Sequence, residues 1–163
     1  MANNLKSKCA VAISQSEHEL VQDIVTNVAN VSASVTQTVW ACTNPQHLSG
    51  LLCRIQARLR RLQGRLPYRD RIFGPHHGYP TLQTIVFHTH LLHNGTLMMV
   101  SRRCLSLFRS SKHRDALSDN QRQIVNKTIE DGLVAAQQTV QILCHLRETS
   151  RSVRQCWITM YVA

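Results

Sequence analysis

The residues best suited to metal or acid–base chemistry in this 163-residue chain are histidines, and they are grouped in two places. His88, His90 and His93 form an H-x-H-x-x-H pattern, and His76 and His77 are adjacent. On a helix, His90 and His93 share a face while His88 points elsewhere. No carboxylate lies between residues 71 and 114 to orient a metal-bound imidazole. We therefore expect packing or surface histidines and no metal site.

The sequence contains no common motif for nucleophilic catalysis or for nucleotide binding. The motifs G-x-S-x-G, G-x-x-x-x-G-K-[ST] and G-x-G-x-x-G are all absent. The six cysteines form no C-x-x-C pair and no zinc spacing, which predicts reduced thiols packed as small apolar groups, with an oxidised framework as the alternative. A cysteine among apolar residues, such as Cys144, is expected to be inert. The sequence predicts no enzyme, no catalytic residue and no cofactor.

The strongest feature of the chain is its positive charge. Lys and Arg number 19 against 9 for Asp and Glu, a formal net charge of +10. Within residues 54–71 there are seven arginines and one aspartate, and Arg54, Arg58, Arg61 and Arg65 follow one another at steps of four, three and four. Those steps place the four guanidinium groups on one stripe of a helix, where they suit carboxylate or phosphate. A solvated helix face, a surface for an acidic protein and a nucleic-acid site all remain open, although few aromatic residues lie nearby for base stacking.

The elements that must carry these residues are helices. Six glycines, four prolines and 5% aromatic residues leave little from which to build a β-sandwich. Apolar residues recur every three or four positions, which predicts an all-α fold, an irregular multi-helix bundle in a single domain over residues 1–163. The predicted helices cover about 17–40, with a possible break near 29–34, about 45–63, about 80–108 and about 118–146. Asn94-Gly95 either kinks or splits the third helix, and residues 110–117 form a polar loop.

Apolar stripes should face the core of this bundle. On the third helix the apolar residues are Leu82, Ile85, Val86, Leu92, Leu97, Val100, Leu105 and Phe108. On the fourth helix the stripe comprises Val125, Ile129, Leu133, Ala136, Val140 and Leu143.

The C-terminal segment, residues 153–163, is apolar and reads CWITMYVA at its end. An apolar tail needs a covering surface. We expect either that it docks on its own domain or that the chain is a fragment of a larger α-helical domain. No stretch has the length of a signal-peptide core or of a membrane span, which predicts an intracellular protein without a membrane partner.

Four segments together resemble the regulatory region, also called the middle homology region, of fungal zinc binuclear cluster transcription factors. They are LLCRIQARLRRLQGRLP, which ends in Leu66-Pro67, TLQTIVFHTHLLHNGTLMMVSRRCLSLF, GLVAAQQTVQILCHL and CWITMYVA. The resemblance covers about residues 45–163. The residues that occupy the positions of the family motifs are Phe87, His88, Arg102, Arg103 and Trp157. The family's six-cysteine DNA-binding module is absent, and the distance from His88 to Arg102 is longer than the family pattern.

The resemblance implies a non-catalytic helical regulatory domain that responds to a ligand or partner and has no DNA-binding module of its own. It implies a protein partner, or the remainder of a larger transcription factor, with an indirect association with DNA. It also implies a place in the nucleus, with the cytoplasm as the alternative, and leaves any small-molecule effector unidentified. The competing hypothesis is a small basic helical protein that binds nucleic acid through Arg54, Arg58, Arg61 and Arg65.

Overall fold

The computed structural model describes the backbone of residues 2–65, 80–109 and 111–148, and the side chains of residues 19, 22–65, 86–109 and 113–148. The predictions for Leu66-Pro67, His76-His77, Trp157 and the C-terminal apolar tail lie outside the described residues. The described part contains helices and no strand, which confirms the all-α prediction. Its helices are α1 (Ala2–Ala41), α2 (Pro45–Gln63), α3 (Pro80–Leu107), α4 (Ser111–Asp115) and α5 (Asp119–Glu148).

Side-chain caps fix the starts of α2 and α5 where the sequence predicts them. The Asn44 side chain accepts hydrogen bonds from the backbone N–H groups of Gln46 and His47, and Pro45 occupies the first turn, where its missing N–H costs nothing. Before α5, the Gln121 amide oxygen accepts from the Ser118 N–H at 3.0 Å, and the Gln121 N–H donates back to the Ser118 hydroxyl at 3.4 Å. This reciprocal pair is a capping box, which satisfies two backbone donors at once.

The helices differ from the predicted ones in two places, and α3 decides against one of the alternatives. The first helix begins at Ala2 and runs without the break expected near residues 29–34. Asn94-Gly95 does not split α3, which is one continuous helix. The predicted polar loop at 110–117 contains the short helix α4. Flanking packing overrides the weak local signals of β-branched residues and glycine in the two long helices.

The four long helices form a bundle in which α3 packs most extensively on α5 and next on α1. Contacts between α3 and α5 join early residues of one to late residues of the other. The rings of Phe87 and His145 lie 5.6 Å apart, and the Ser101 hydroxyl donates to the Ile129 carbonyl at 3.4 Å. These two helices are therefore antiparallel.

Contacts of α2 show its direction in the same way. The Gln56 amide donates to the Thr128 hydroxyl at 2.8 Å, and the Gln121 amide donates to the Ser49 hydroxyl at 3.0 Å, so α2 and α5 run parallel. One edge of α2 faces α1 and the other faces α5.

The core is divided along the bundle axis. The main cluster occupies one end, and its fully or largely buried members are Val35, Val39, Cys42, Leu48, Leu52, Ile55, Leu59, Val100, Cys104, Phe108, Leu117 and Val125. A second cluster of Phe87, Leu91, Ile142 and Leu146 lies further toward the start of α3. Between the two, α3 buries the polar side chains of His90, His93, Asn94 and Thr96, which we call the polar layer.

The apolar stripe predicted for α5 is wrong in its C-terminal half. Leu133 and Val140 are 65% and 58% exposed, and the buried face instead comprises Val125, Thr128, Gly132, Ala135, Ile142 and Leu146. The reason is the close approach of α3, since a Cβ built on Gly132 would overlap the Cβ and Oγ atoms of Ser101. Only the face of α5 that carries small side chains, such as Gly132 and Ala135, fits against α3 at this distance. Leu105, predicted to be buried on α3, is likewise 51% exposed.

Candidate functional site

All four arginines of the predicted stripe are exposed. Arg54, Arg58 and Arg61 lie on one flank of α2, and Arg65 follows in the turn just beyond its last residue, Gln63. We call Arg54, Arg58, Arg61 and Arg65 the arginine row. The row lies beside the face of α2 that buries leucines and Ile55 in the core. The Arg58 guanidinium donates to the Ser34 hydroxyl of α1 at 3.1 Å, so the row lies along the edge where α2 faces α1.

None of the four guanidinium groups pairs with a described carboxylate. Within the described residues, the ion pairs join Lys127 to Asp131 at 3.0 Å and to Glu130 at 3.8 Å, both on α5. The hydrogen bond from Lys127 to Asp131 raises the pKa of that lysine. The arginine row therefore presents positive charge that no described acidic group neutralises.

The spacing of the row sets what it can bind. Arg54 and Arg65 are eleven residues apart, which corresponds to about 16 Å at the rise of a helix, and α2 itself ends at Gln63. Each planar fork can accept a carboxylate or phosphate through two parallel hydrogen bonds. The row can therefore contact a line of acidic groups that repeats at helical pitch.

The two arginines of the family motif have different environments. Arg102 is exposed, whereas Arg103 turns inward and donates to the Cys42 carbonyl at 2.8 Å. The Arg103 guanidinium also lies 5.4 Å from the ring centroid of Trp40. A cation at the C-terminal end of α1 satisfies a free carbonyl and opposes the helix dipole. Arg103 is thus a cap of α1, and sequence reasoning had no signal for its partners Trp40 and Cys42.

The other described motif positions lie in the interior or at its border. Phe87 is buried in the second cluster, and His88 is half-buried, with a pKa lowered by desolvation. His90 and His93 are buried in the polar layer. In the part of the chain with described side chains, no three histidine, cysteine or acidic residues are grouped as a metal site. Phe87, His90 and His93 therefore contribute to the packing of α3.

The four described cysteines are free thiols, of which two are buried and two are exposed. Cys42 and Cys104 are buried, and burial raises the pKa of the Cys104 thiol to about 12, which keeps it neutral. Cys53 and Cys144 are exposed. The apolar surroundings predicted for Cys144 are therefore wrong, because the rotation of α5 that buries Gly132 turns Cys144 outward.

Acidification is expected to destabilise the protein through His93. Burial lowers the pKa of this imidazole, although the nearby Leu59 backbone and Asn94 side chain act in the opposite direction. As the pH falls below 6.5, the ordinary pKa of histidine, His93 is protonated in the unfolded chain but stays neutral in the folded protein. The free energy of unfolding therefore falls as the pH decreases. The slope from this one group cannot exceed about 1.4 kcal/mol per pH unit.

Urea unfolding from pH 7.5 to 5.5 measures this slope. The variant His93→Gln removes the titrating group and should make the dependence shallower in that range. A wild-type stability that rises on acidification, or a slope unchanged in His93→Gln, would contradict the assignment.

Comparison with known proteins identifies no relative of this chain, since no protein-family model, curated protein or solved structure matches it. The resemblance to fungal transcription factors therefore stays a prediction. Among the described residues, no helix combines the length and apolar character needed to cross a membrane.

Proposed function

We propose that the chain is a non-catalytic helical interaction domain that binds an acidic segment of a partner protein along the arginine row. The observation that carries this proposal is the exposure of four arginines at steps of four, three and four residues, none of them in an ion pair with a described carboxylate. Like charges three or four residues apart on a helix repel one another slightly, and an acidic partner would relieve that repulsion.

A helical acidic segment fits the row better than nucleic acid does. Carboxylates that repeat at four-three-four spacing on a partner helix match the steps between Arg54 and Arg65. No Phe, Trp or Tyr lies on α2 to stack on bases, and Trp40 at the end of α1 is in contact with Arg103. The net charge of +10 adds attraction toward any polyanion, but it does not select a register.

The resemblance supplies the biological setting of the proposal. A regulatory domain in the nucleus would contact an acidic segment of a partner, or of a larger transcription factor, and would associate with DNA indirectly. Binding would favour one arrangement of α1 and α2, since the row follows their shared edge.

The test measures binding of a peptide of about three helical turns whose glutamates repeat at the four-three-four spacing. A scrambled peptide of equal composition and a random-sequence DNA duplex are the comparison ligands. We expect the spaced peptide to bind tightest, with affinity that falls as salt rises. Replacing the whole row by glutamine should weaken its binding about tenfold to a hundredfold, because each exposed pair contributes up to about 1 kcal/mol.

A matched control separates the row from net charge. The variant with Arg60, Arg102, Arg109 and Arg147 replaced by glutamine loses four positive charges as well, all at exposed positions. This control variant should bind the spaced peptide only slightly more weakly than the wild-type protein does. Equal losses in the two variants would contradict a specific row, and tighter binding of the DNA duplex would favour the nucleic-acid alternative instead.

A further inference from the structure

A cavity of about 150 Å³ lies between α2, α3 and α5. It sits beside the polar layer, at the end of the main cluster that faces the second cluster. Its apolar walls include Ile55, Leu59, Leu97 and Val100, while the side chains of His93 and Asn94 add polar groups. On this side, the main cluster therefore borders a cavity instead of packed side chains.

Two residues that line this cavity each have a buried polar atom without a hydrogen-bond partner. These atoms are Nε2 of His93 and Nδ2 of Asn94, on side chains that are each 3% exposed. Leaving such an atom unpaired is unfavourable, because the hydrogen bonds that it made with water are lost on folding and not replaced. Buried polar groups in folded proteins nearly always have a partner, so this pair of atoms on neighbouring residues calls for one.

The charge state of the site favours a neutral ligand. Burial lowers the pKa of His93, so its imidazole is neutral near pH 7 and the ring offers one donor and one acceptor nitrogen. Asn94 Nδ2 can only donate. Arg60, Lys127 and Asp131 also line the cavity, with charges of both signs that do not select an ion. An ionic ligand would lose its hydration without a matching buried charge.

We propose that this cavity binds a small neutral ring compound that carries a hydroxyl group, with phenol as its simplest example. A cavity of about 150 Å³ accommodates one benzene-sized ring. The ring packs against Leu59 and Leu97, and a small movement of the His93 and Asn94 side chains toward the cavity brings their unpaired nitrogen atoms to the hydroxyl group. This site is separate from the arginine row, which lies on the opposite flank of α2.

The experiment titrates the isotopically labelled protein with phenol and, in parallel, with benzene. We expect phenol to raise the midpoint of thermal unfolding in a saturable way and to give nuclear Overhauser contacts from its ring protons to the methyl groups of Leu59 and Leu97. Benzene should bind more weakly, because it leaves both polar atoms unpaired. The variant Asn94→Leu, of similar volume, should reduce the preference for phenol over benzene.

Three results would overturn the proposal. One is the absence of ring contacts to Leu59 and Leu97, which would leave the cavity to water alone. Another is equal affinity for phenol and benzene in the wild-type protein. The last is an unchanged preference in a folded Asn94→Leu variant. The first two results use the wild-type chain, so the test stands even where the variant does not fold.

Discussion

Replacing Gly132 by alanine is expected to destabilise the protein by about 2 kcal/mol, even though alanine is the better helix former by about 1 kcal/mol. The added Cβ would overlap the Cβ and Oγ atoms of Ser101 and would also approach the Leu97 carbonyl at 3.4 Å. Neither backbone of the α3–α5 contact can move without disturbing the most extensive interface in the bundle. Chemical unfolding of the variant measures the loss.

Gly50→Ala is the matched control for this substitution. Gly50 is an exposed helical glycine on α2, and a Cβ there meets nothing within 4 Å. The same chemical change should therefore stabilise the protein by about 0.5–1 kcal/mol. The variant Ser101→Gly makes room opposite Gly132, so Gly132→Ala should cost at least about 1 kcal/mol less in that background. Similar effects at the two glycines, or strict additivity with Ser101→Gly, would contradict the helix contact described here.

Replacing Arg103 by alanine is expected to lower the free energy of unfolding by about 2–3 kcal/mol. The change removes a charged hydrogen bond to the Cys42 carbonyl, of a kind that contributes about 1.5–3 kcal/mol. It also removes the guanidinium from the face of Trp40, a contact of about 0.5–1 kcal/mol. Thermal and urea unfolding provide the measurement, and Trp40 fluorescence should report the loss of its neighbour.

The adjacent Arg102 supplies the control for Arg103. Arg102→Ala changes an exposed side chain of the same type and should alter stability by no more than about 0.5 kcal/mol. Arg103→Lys keeps the charge but loses the planar fork, so its free energy of unfolding should lie between those of the wild type and Arg103→Ala. A ranking in which Arg102→Ala is as destabilising as Arg103→Ala would refute the capping role.

Local chemistry explains why the ends of α2 and α5 could be predicted from the sequence. Asn44-Pro45 and Ser118 mark helix starts through side-chain hydrogen bonds that form within three residues. The arginine row is also readable, because charge spacing along α2 depends on helical period alone. These features need no knowledge of the neighbouring helices.

The orientation of α5 could not be read in the same way. Its largest apolar residues include Leu133 and Val140, which point outward, while Gly132 and Ala135 face the core. Hydrophobic periodicity favours large side chains and overlooks a seam of small ones. The close approach of α3 decides the orientation, and that distance is a property of the whole bundle.

The polar layer of α3 could not be predicted from the sequence for a related reason. Asn94 is typical of a turn in isolation, yet here it is buried in a continuous helix beside the cavity. Sequence patterns give the residue type, but burial and the absence of a partner atom depend on three helices together.

Amide chemical shifts of the labelled protein, recorded while the spaced acidic peptide is added, test the central proposal most directly. We predict the largest shifts at Arg54, Arg58, Arg61 and Arg65 and at Ser34 on the facing edge of α1. The basic stretch at residues 102–115 should respond weakly. Shifts concentrated in that second stretch, or spread evenly over every basic residue, would show that the arginine row is only a solvated helix face.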